Sequence, residues 1–145
     1  MCLKKKAMIT KKTVNALSYK IIGYAIEIHK ALGPGLLESV YETCMMHLLK
    51  QNGHKVKRQN QVKINFKGIE IETHLRYDIL VDDLIVIENK AVEAFHPLHT
   101  AQTLSYMMLL QIPKGIIINY NCTNIFKEGQ KTLVNKYFEQ LPAGE

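Results

Sequence analysis

The sequence predicts a mixed α/β domain: a mixed central sheet with helices on its faces. Three observations carry that prediction. Two segments with helical apolar spacing open the chain, 13–30 and 36–51. Alternating apolar and polar residues follow, broken by turn signals. A later helix then leads into an uninterrupted apolar run, Gly115-Ile116-Ile117-Ile118-Asn119-Tyr120, which reads as a strand buried on both faces.

The elements can be justified in order. Val14, Leu17, Ile21, Tyr24, Ala25 and Ile28 lie on one helical stripe, and Gly33-Pro34-Gly35 breaks the chain after it. The second helix, about Leu36 to Gln51, turns Leu37, Val40, Tyr41, Cys44, Met45, Leu48 and Leu49 inward and closes at Asn52-Gly53. Val62, Ile64 and Phe66 alternate with polar residues, as do Ile69, Ile71, Leu75 and Tyr77. Lys67-Gly68 suits a two-residue hairpin turn, with Phe66 opposite Ile69 and Ile64 opposite Ile71. If the second strand continues unbroken, Glu70, Glu72, His74, Arg76 and Asp78 share its other face. Pro97 starts the later helix, and Leu98, Ala101, Leu104, Ser105, Met108 and Leu109 carry it to about Leu110, before Pro113. At the end, Lys131 to Val134 reads as an edge strand and Tyr137–Phe138 as a short helical turn.

The chain has 145 residues, enough for one domain with a hydrophobic core, and 47% apolar with 22% charged residues is ordinary for a globular protein. No apolar run approaches the ~18 residues of a membrane span. Met1-Cys2-Leu3-Lys4-Lys5-Lys6 is basic but lacks the apolar core of a signal peptide. Cys2, Cys44 and Cys122 fit neither a disulfide framework nor a zinc site, which points to a reducing cytoplasm. The net charge of +6 is compatible with a polyanionic partner. The lysines in the tail, about 1–12, and the cluster Lys55, Lys57, Arg58 are each explained as readily by a flexible tail and a solvated loop.

Chemistry concentrates in Arg76-Tyr77-Asp78-Ile79-Leu80-Val81-Asp82-Asp83-Leu84-Ile85-Val86-Ile87-Glu88-Asn89-Lys90. Charges within a buried sheet need partners or a metal. Asp78 and Glu88 are cross-strand neighbours only if the connection is the three residues Asp82-Asp83-Leu84, or an equivalent bulge, which also pairs Leu80 with Val86 and Arg76 with Lys90. A flush two-residue turn would set the acids on opposite faces. Opposed carboxylates about 5 Å apart at Cβ could ligate magnesium or manganese, with Lys90 two residues along the same face. Spacing alone equally allows an ion-pair cluster of Asp78 with Arg76 or Lys90 and of Glu88 with Lys90. Glu38 falls in a first helical turn, where acids usually answer the helix dipole. His99, Gln102 and Tyr106 share a stripe of the later helix, read either as a solvated face or as the wall of a phosphate site. No histidine spacing favours zinc, and there is no phosphate loop or nucleophile elbow.

Gly35-x-x-Glu38-x-x-Tyr41, Arg76-x-Asp78, Glu88-x-Lys90 and His99-x-x-Gln102-x-x-x-Tyr106 together resemble the small prokaryotic GxxExxY family, placed in the PD-(D/E)XK nuclease superfamily. The resemblance runs from about Ile21 to Val134. It implies a restriction-endonuclease-like core of helix, three-stranded meander, helix and strand over about 35–121, plus an extra N-terminal helix. It implies a metal-dependent phosphodiesterase site: Asp78 and Glu88 as metal ligands, Lys90 as the catalytic lysine, and Glu38 on the metal directly or through water. Gln102 and Tyr106 would line the site, with Arg76 and His99 on the substrate side. Two positions depart from the pattern. Asn89 stands where an apolar residue is common, so it needs hydrogen-bond partners. Tyr77 replaces the proline before the aspartate.

The function expected is a magnesium- or manganese-dependent nuclease acting on DNA before RNA. A catalytically silent nucleic-acid-binding module and an assembly subunit are the competing readings. A homodimer is plausible, since so small a nuclease gains substrate contacts from a second copy.

Overall fold

Two adjacent strands with no exposed face anchor the sheet: β5 (Ile85–Lys90), buried as far as Asn89, and β6 (Lys114–Asn119), buried throughout. They run parallel, Ile85 beside Lys114 and Glu88 beside Ile117. β4 (Ile79–Val81) and β1 (Val56–Arg58) extend the sheet antiparallel on one side, and β7 (Gln130–Val134) closes the other. The computed structural model describes residues 8–145. The Lys4–Lys6 run, Cys2 and most of the predicted tail lie outside the described residues.

Helices cover both faces. α1 (Lys11–Leu32) and α2 (Glu38–Gln51) enclose one core with the sheet, where Val14, Ile21, Ala25, Tyr41, Met45 and Leu49 meet Ile79, Ile87, Ile116 and Ile118. α3 (Pro97–Leu110) covers the other, where Tyr106 joins Leu80, Val86, Tyr77 and Ile112. Thr10 caps α1 by accepting from the Thr13 amide (3.1 Å). His96 caps α3 and His99 reaches back to it, with Pro97 in the first turn. α3 packs so closely on β6 that a Cβ at Gly115 would lie 2.7 Å from Met107 Sδ and 2.9 Å from Thr103 Cγ2. Two short helices, α4 (Ile125–Glu128) and α5 (Lys136–Glu139), flank β7. This mixed five-stranded sheet between helices is the predicted class, with the N-terminal helix added.

The β4–β5 register is the predicted one. Leu80 opposes Val86 and Val81 opposes Ile85, leaving Asp82, Asp83 and Leu84 as the connection. Asp82 and Asp83 both take positive φ, 52° and 53°, which aspartate tolerates better than most residues. β2 (Gln61–Phe66) and β3 (Ile69–Arg76) pair as expected, Phe66 with Ile69 and Ile64 with Ile71, around a Lys67–Gly68 turn with φ of 49° and 85°.

Four expectations need correction. β3 and β4 are not one strand: the chain leaves the β2–β3 ladder after Arg76 and joins β4 at Ile79, with a bulge at His74, whose φ is 59°. The β2–β3 hairpin is therefore a separate two-stranded sheet, and Arg76 pairs with Gln61 rather than opposing Lys90. Lys55, Lys57 and Arg58 do not form a free basic loop. They lead into and form β1, and each meets an acid, Lys55 and Lys57 on Asp83 and Arg58 on Glu42. α4 was unread. The last correction concerns α2: Leu37 and Val40, expected inward, are 75% and 37% exposed. In α3, Leu98, Ala101, Leu104, Ser105, Met108 and Leu109 face outward, while Thr103, Tyr106 and Met107 are buried.

Candidate active site

Asp78 occupies the gap between the hairpin and β4, where no ladder fixes its backbone. Its amide donates to Glu88 Oε1 (3.2 Å), and the Asn89 amide donates to Asp78 Oδ2 (2.8 Å). Each carboxylate thus takes an amide beside the other acid, which locks the two side by side across β4 and β5. Glu88 is only 4% exposed. Burial, then the Asp78 charge, pushes the Glu88 carboxyl up to about 8. Burial likewise raises Asp78 to about 6, with Glu42 and Glu38 adding to the rise. Lys90, half-buried at the end of β5, opposes both shifts but makes no ion pair within 4.0 Å. Among the described residues, the ion-pair cluster of Asp78, Arg76, Glu88 and Lys90 does not form. Buried Glu88 and half-buried Asp78 share a site that, among the described residues, has no contacting cation.

α2 brings two more carboxylates. Gly33 and Gly35 take positive φ, 69° and 97°, and turn the chain sharply into the helix. The Tyr41 hydroxyl donates to the Gly33 carbonyl (2.7 Å) and accepts from the Leu36 amide (3.2 Å), while its ring stacks on Tyr120 at 4.2 Å. The glycine–glutamate–tyrosine spacing thus has a local purpose: the tyrosine pins the loop that delivers Glu38. Glu38 Oε1 accepts from the Ala91 amide just past Lys90 (3.2 Å). One turn on, Glu42 is nearly buried. Its Oε2 accepts from Arg58 Nη2 and Gln59 Nε2, both at 3.0 Å, while Oε1 has no protein partner. Glu42 lines the same cleft as Glu38 and Asp78, a space of about 570 Å³. Sequence reading missed it, although its i+4 spacing from Glu38 puts both on one face of α2.

From the other side, α3 turns Tyr106 and, half-buried, His99 and Gln102 towards the sheet. Burial, then the charges of Glu88 and Asp78, raises the Tyr106 hydroxyl to about 12. Burial and Lys90 hold the His99 ring below its ordinary value, against a pull from Glu38. With Tyr106 buried and His99 and Gln102 half-buried, the stripe is not a solvated face. Arg76 is exposed at the end of the hairpin, paired with Gln61.

Asn89 lies on the α1/α2 side of β5, fully buried, and among the described residues neither end of its amide has a partner. Among the described residues no three histidine, cysteine, aspartate or glutamate side chains converge tightly enough to cage a metal by themselves. The donor set still fits a divalent cation. Magnesium typically takes one or two carboxylates and completes its shell with water and substrate oxygens. Paired acids driven upward by burial and mutual repulsion are groups that a dication relieves.

A family model for the PD-(D/E)XK nuclease superfamily matches residues 15–133. The chain belongs to the PD-(D/E)XK nuclease superfamily. The mixed sheet flanked by helices is consistent with the restriction-endonuclease-like fold of that superfamily. Membership suggests nuclease activity and implies a nucleic-acid substrate, and PD-(D/E)XK nucleases generally use divalent metal ions. A solved structure described as "Crystal structure of SSO0001" is similar over 95% of this chain and 75% of that one, at 16% identity and a TM-score of 0.49. At that distance it adds nothing to the argument. No curated protein matches. Among the described residues no helix is long and apolar enough to cross a membrane.

Proposed function

We propose that this PD-(D/E)XK protein is a single-domain cytoplasmic nuclease of the GxxExxY type, hydrolysing phosphodiester bonds in DNA, and in RNA second, with magnesium or manganese. The observation that carries the reading is the pair of buried Glu88 and half-buried Asp78, which has no contacting cation among the described residues and whose Asp78 lines the cleft beside Glu38.

Asp78 and Glu88 would hold the metal ion, with Glu38 contributing directly or through a water. When bound, the ion supplies charge neutralisation at the phosphate and a lowered water pKa. Lys90 places a positive charge where the phosphate gains negative charge in the transition state. Gln102 orients water or substrate through its amide. Tyr106, protonated at any physiological pH, donates a hydrogen bond without titrating. His99 and Arg76 receive the nucleic-acid backbone. Glu42 braces the root of the hairpin through Arg58 and Gln59 and adds negative potential behind Asp78.

The test is cleavage of labelled duplex, single-stranded and branched DNA and of RNA, with and without magnesium, by wild type, Glu88→Ala and Lys90→Ala. The reading expects magnesium-dependent cleavage by wild type alone. Equal cleavage by all three proteins identifies a contaminant and removes the support. Metal and nucleic-acid binding without any cleavage leaves a silent binding module instead.

A further inference from the structure

α2 breaks a local rule at the place where it enters the cleft. The other helices among the described residues are each capped by the side chain just before the first turn: Thr10, His96, Asn124 and Asn135 accept from amides there. The same position on α2 is Leu37, whose side chain caps nothing. Leucine is among the poorest N-cap residues, and serine, threonine, aspartate or asparagine would stabilise the helix. Packing within the chain does not offset the loss, because Leu37 is 75% exposed. A residue that costs stability and gains no internal contact, at the mouth of a functional cleft, points to a contact made with a ligand.

Leu36 beside it is 40% exposed, and both leucines line the cleft that holds Glu38, Glu42 and Asp78. The loop that presents them is fixed: Gly33 and Gly35 turn it at positive φ, and the Leu36 amide donates to the Tyr41 hydroxyl. The cleft therefore sets two chemistries side by side, an acidic floor and an apolar rim. Among the described residues that line it there is no lysine or arginine.

A nucleotide carries two matching chemistries. Its phosphate is drawn to a cation held by carboxylates, and its base has an apolar face. In a paired duplex that face is covered by stacked neighbours, and a protein meets phosphates, sugars and base edges. The face becomes available where the strand is unpaired and the base leaves the stack. We propose that Leu36 and Leu37 form a rest for an unstacked base next to the scissile phosphate, which makes single-stranded or locally unpaired nucleic acid the preferred substrate. The proposal rests on the nuclease reading of this cleft and adds a substrate class to it. A protein segment is the competing occupant. Continuity of the rim with the carboxylates favours the nucleotide, since one ligand then answers both surfaces.

Leu37→Ser provides the test, because it removes the apolar side chain and supplies the missing cap. Binding is followed by fluorescence anisotropy with magnesium in a Lys90→Ala background, so that cleavage is not needed. The labelled probes are a DNA single strand, a strand of equal length made of abasic sites, and the matching duplex. Leu37→Ser is expected to weaken the single strand by about tenfold, the scale of one apolar side chain left uncovered, and to leave the abasic strand and the duplex unchanged. Leu37→Met should restore the affinity. Leu37→Ser should also melt at or above the temperature of its parent. Equal loss on the normal and abasic strands overturns the proposal, as does no loss on either or no binding of the single strand at all. A lower melting temperature for Leu37→Ser also overturns it, since the leucine then serves the fold. Failure of the nuclease reading shows itself separately, as wild type that binds the strand with magnesium and does not cleave it.

Discussion

The β4–β5 hairpin carries an acid pair at each end, and the fold treats the two pairs in opposite ways. Asp82 and Asp83, at the turn, are surrounded by partners. Asp82 accepts from the Lys55 amide (2.8 Å) and meets His54 Nδ1 (2.9 Å), while Asp83 holds Lys55 and Lys57. The lysines keep the Asp83 carboxyl below its ordinary range. Half-buried Asp78 and buried Glu88, at the open end, are pushed upward and, among the described residues, have no contacting cation. Only a few residues separate the pairs along the chain. The turn acids have a structural task that their partners complete. The open-end acids remain incomplete within the chain, and incompletion at a cleft is what distinguishes a binding site from a brace.

That contrast can be broken by substitution. Asp78→Asn and Glu88→Gln should each lower magnesium-dependent cleavage by about 10²–10³-fold, the scale of a lost transition-state contact. Asp82→Asn should leave cleavage unchanged and cost about 1 kcal/mol in urea unfolding. If Asp82→Asn abolishes cleavage while Asp78→Asn spares it, the two ends have been assigned the wrong way round.

Glu42→Gln tests an intermediate case, a carboxylate that braces the hairpin root and faces the cleft. Metal affinity or cleavage should fall by roughly 10–100-fold, as for residues that support a ligand set. An unchanged magnesium titration would confine Glu42 to a purely structural role.

Acidity gives a third comparison, measured without metal. Both open-end carboxyls are raised in the folded state, so between about pH 4 and 8 the native chain holds more protons than the unfolded one. Their contribution therefore favours folding at the acid end of that window and declines as pH rises through it. Asp83 works in reverse: its lowered carboxyl stabilises above the ordinary carboxylate range and less as pH falls through it. Thermal melts should show metal-free wild type losing stability from pH 5 to 8 more steeply than Asp78→Asn/Glu88→Gln. Parallel curves would mean that the burial of these acids has been overstated.

The smallest expected effect lies at Asn89. Asn89→Val should stabilise by about 1 kcal/mol, because an amide without protein partners is replaced by an apolar side chain on the packed face. Destabilisation would show that the amide has a partner after all.

Much of the fold was legible because local rules and tertiary packing agree. The Asp82–Leu84 connection, the Lys67–Gly68 turn, α3 from Pro97 to Leu110 and the buried β6 each follow from period, turn chemistry or capping. β1 was hidden because Lys57 and Arg58 read as solvent-facing, and only their partners Asp83 and Glu42, distant in sequence, make them strand residues. The break at Tyr77–Asp78 was hidden because alternation continues across it. The orientation of α3 stayed open because its apolar period marks a stripe without saying which side of the helix meets the sheet. At the site, Asp78, Glu88 and Lys90 stood out from charge within apolar strands, whereas Glu38 and Gln102 came through resemblance. Glu42 could have been found by helical spacing but resembled an ordinary surface acid.

The central claim is that Asp78 and Glu88 together form a divalent-cation site. Titrating manganese into the protein while following the free-ion paramagnetic resonance signal tests it most directly. The account predicts saturable binding by wild type and by Asp82→Asn, competed by magnesium and lost in Asp78→Asn/Glu88→Gln. Equal manganese uptake by wild type and that double variant would contradict it.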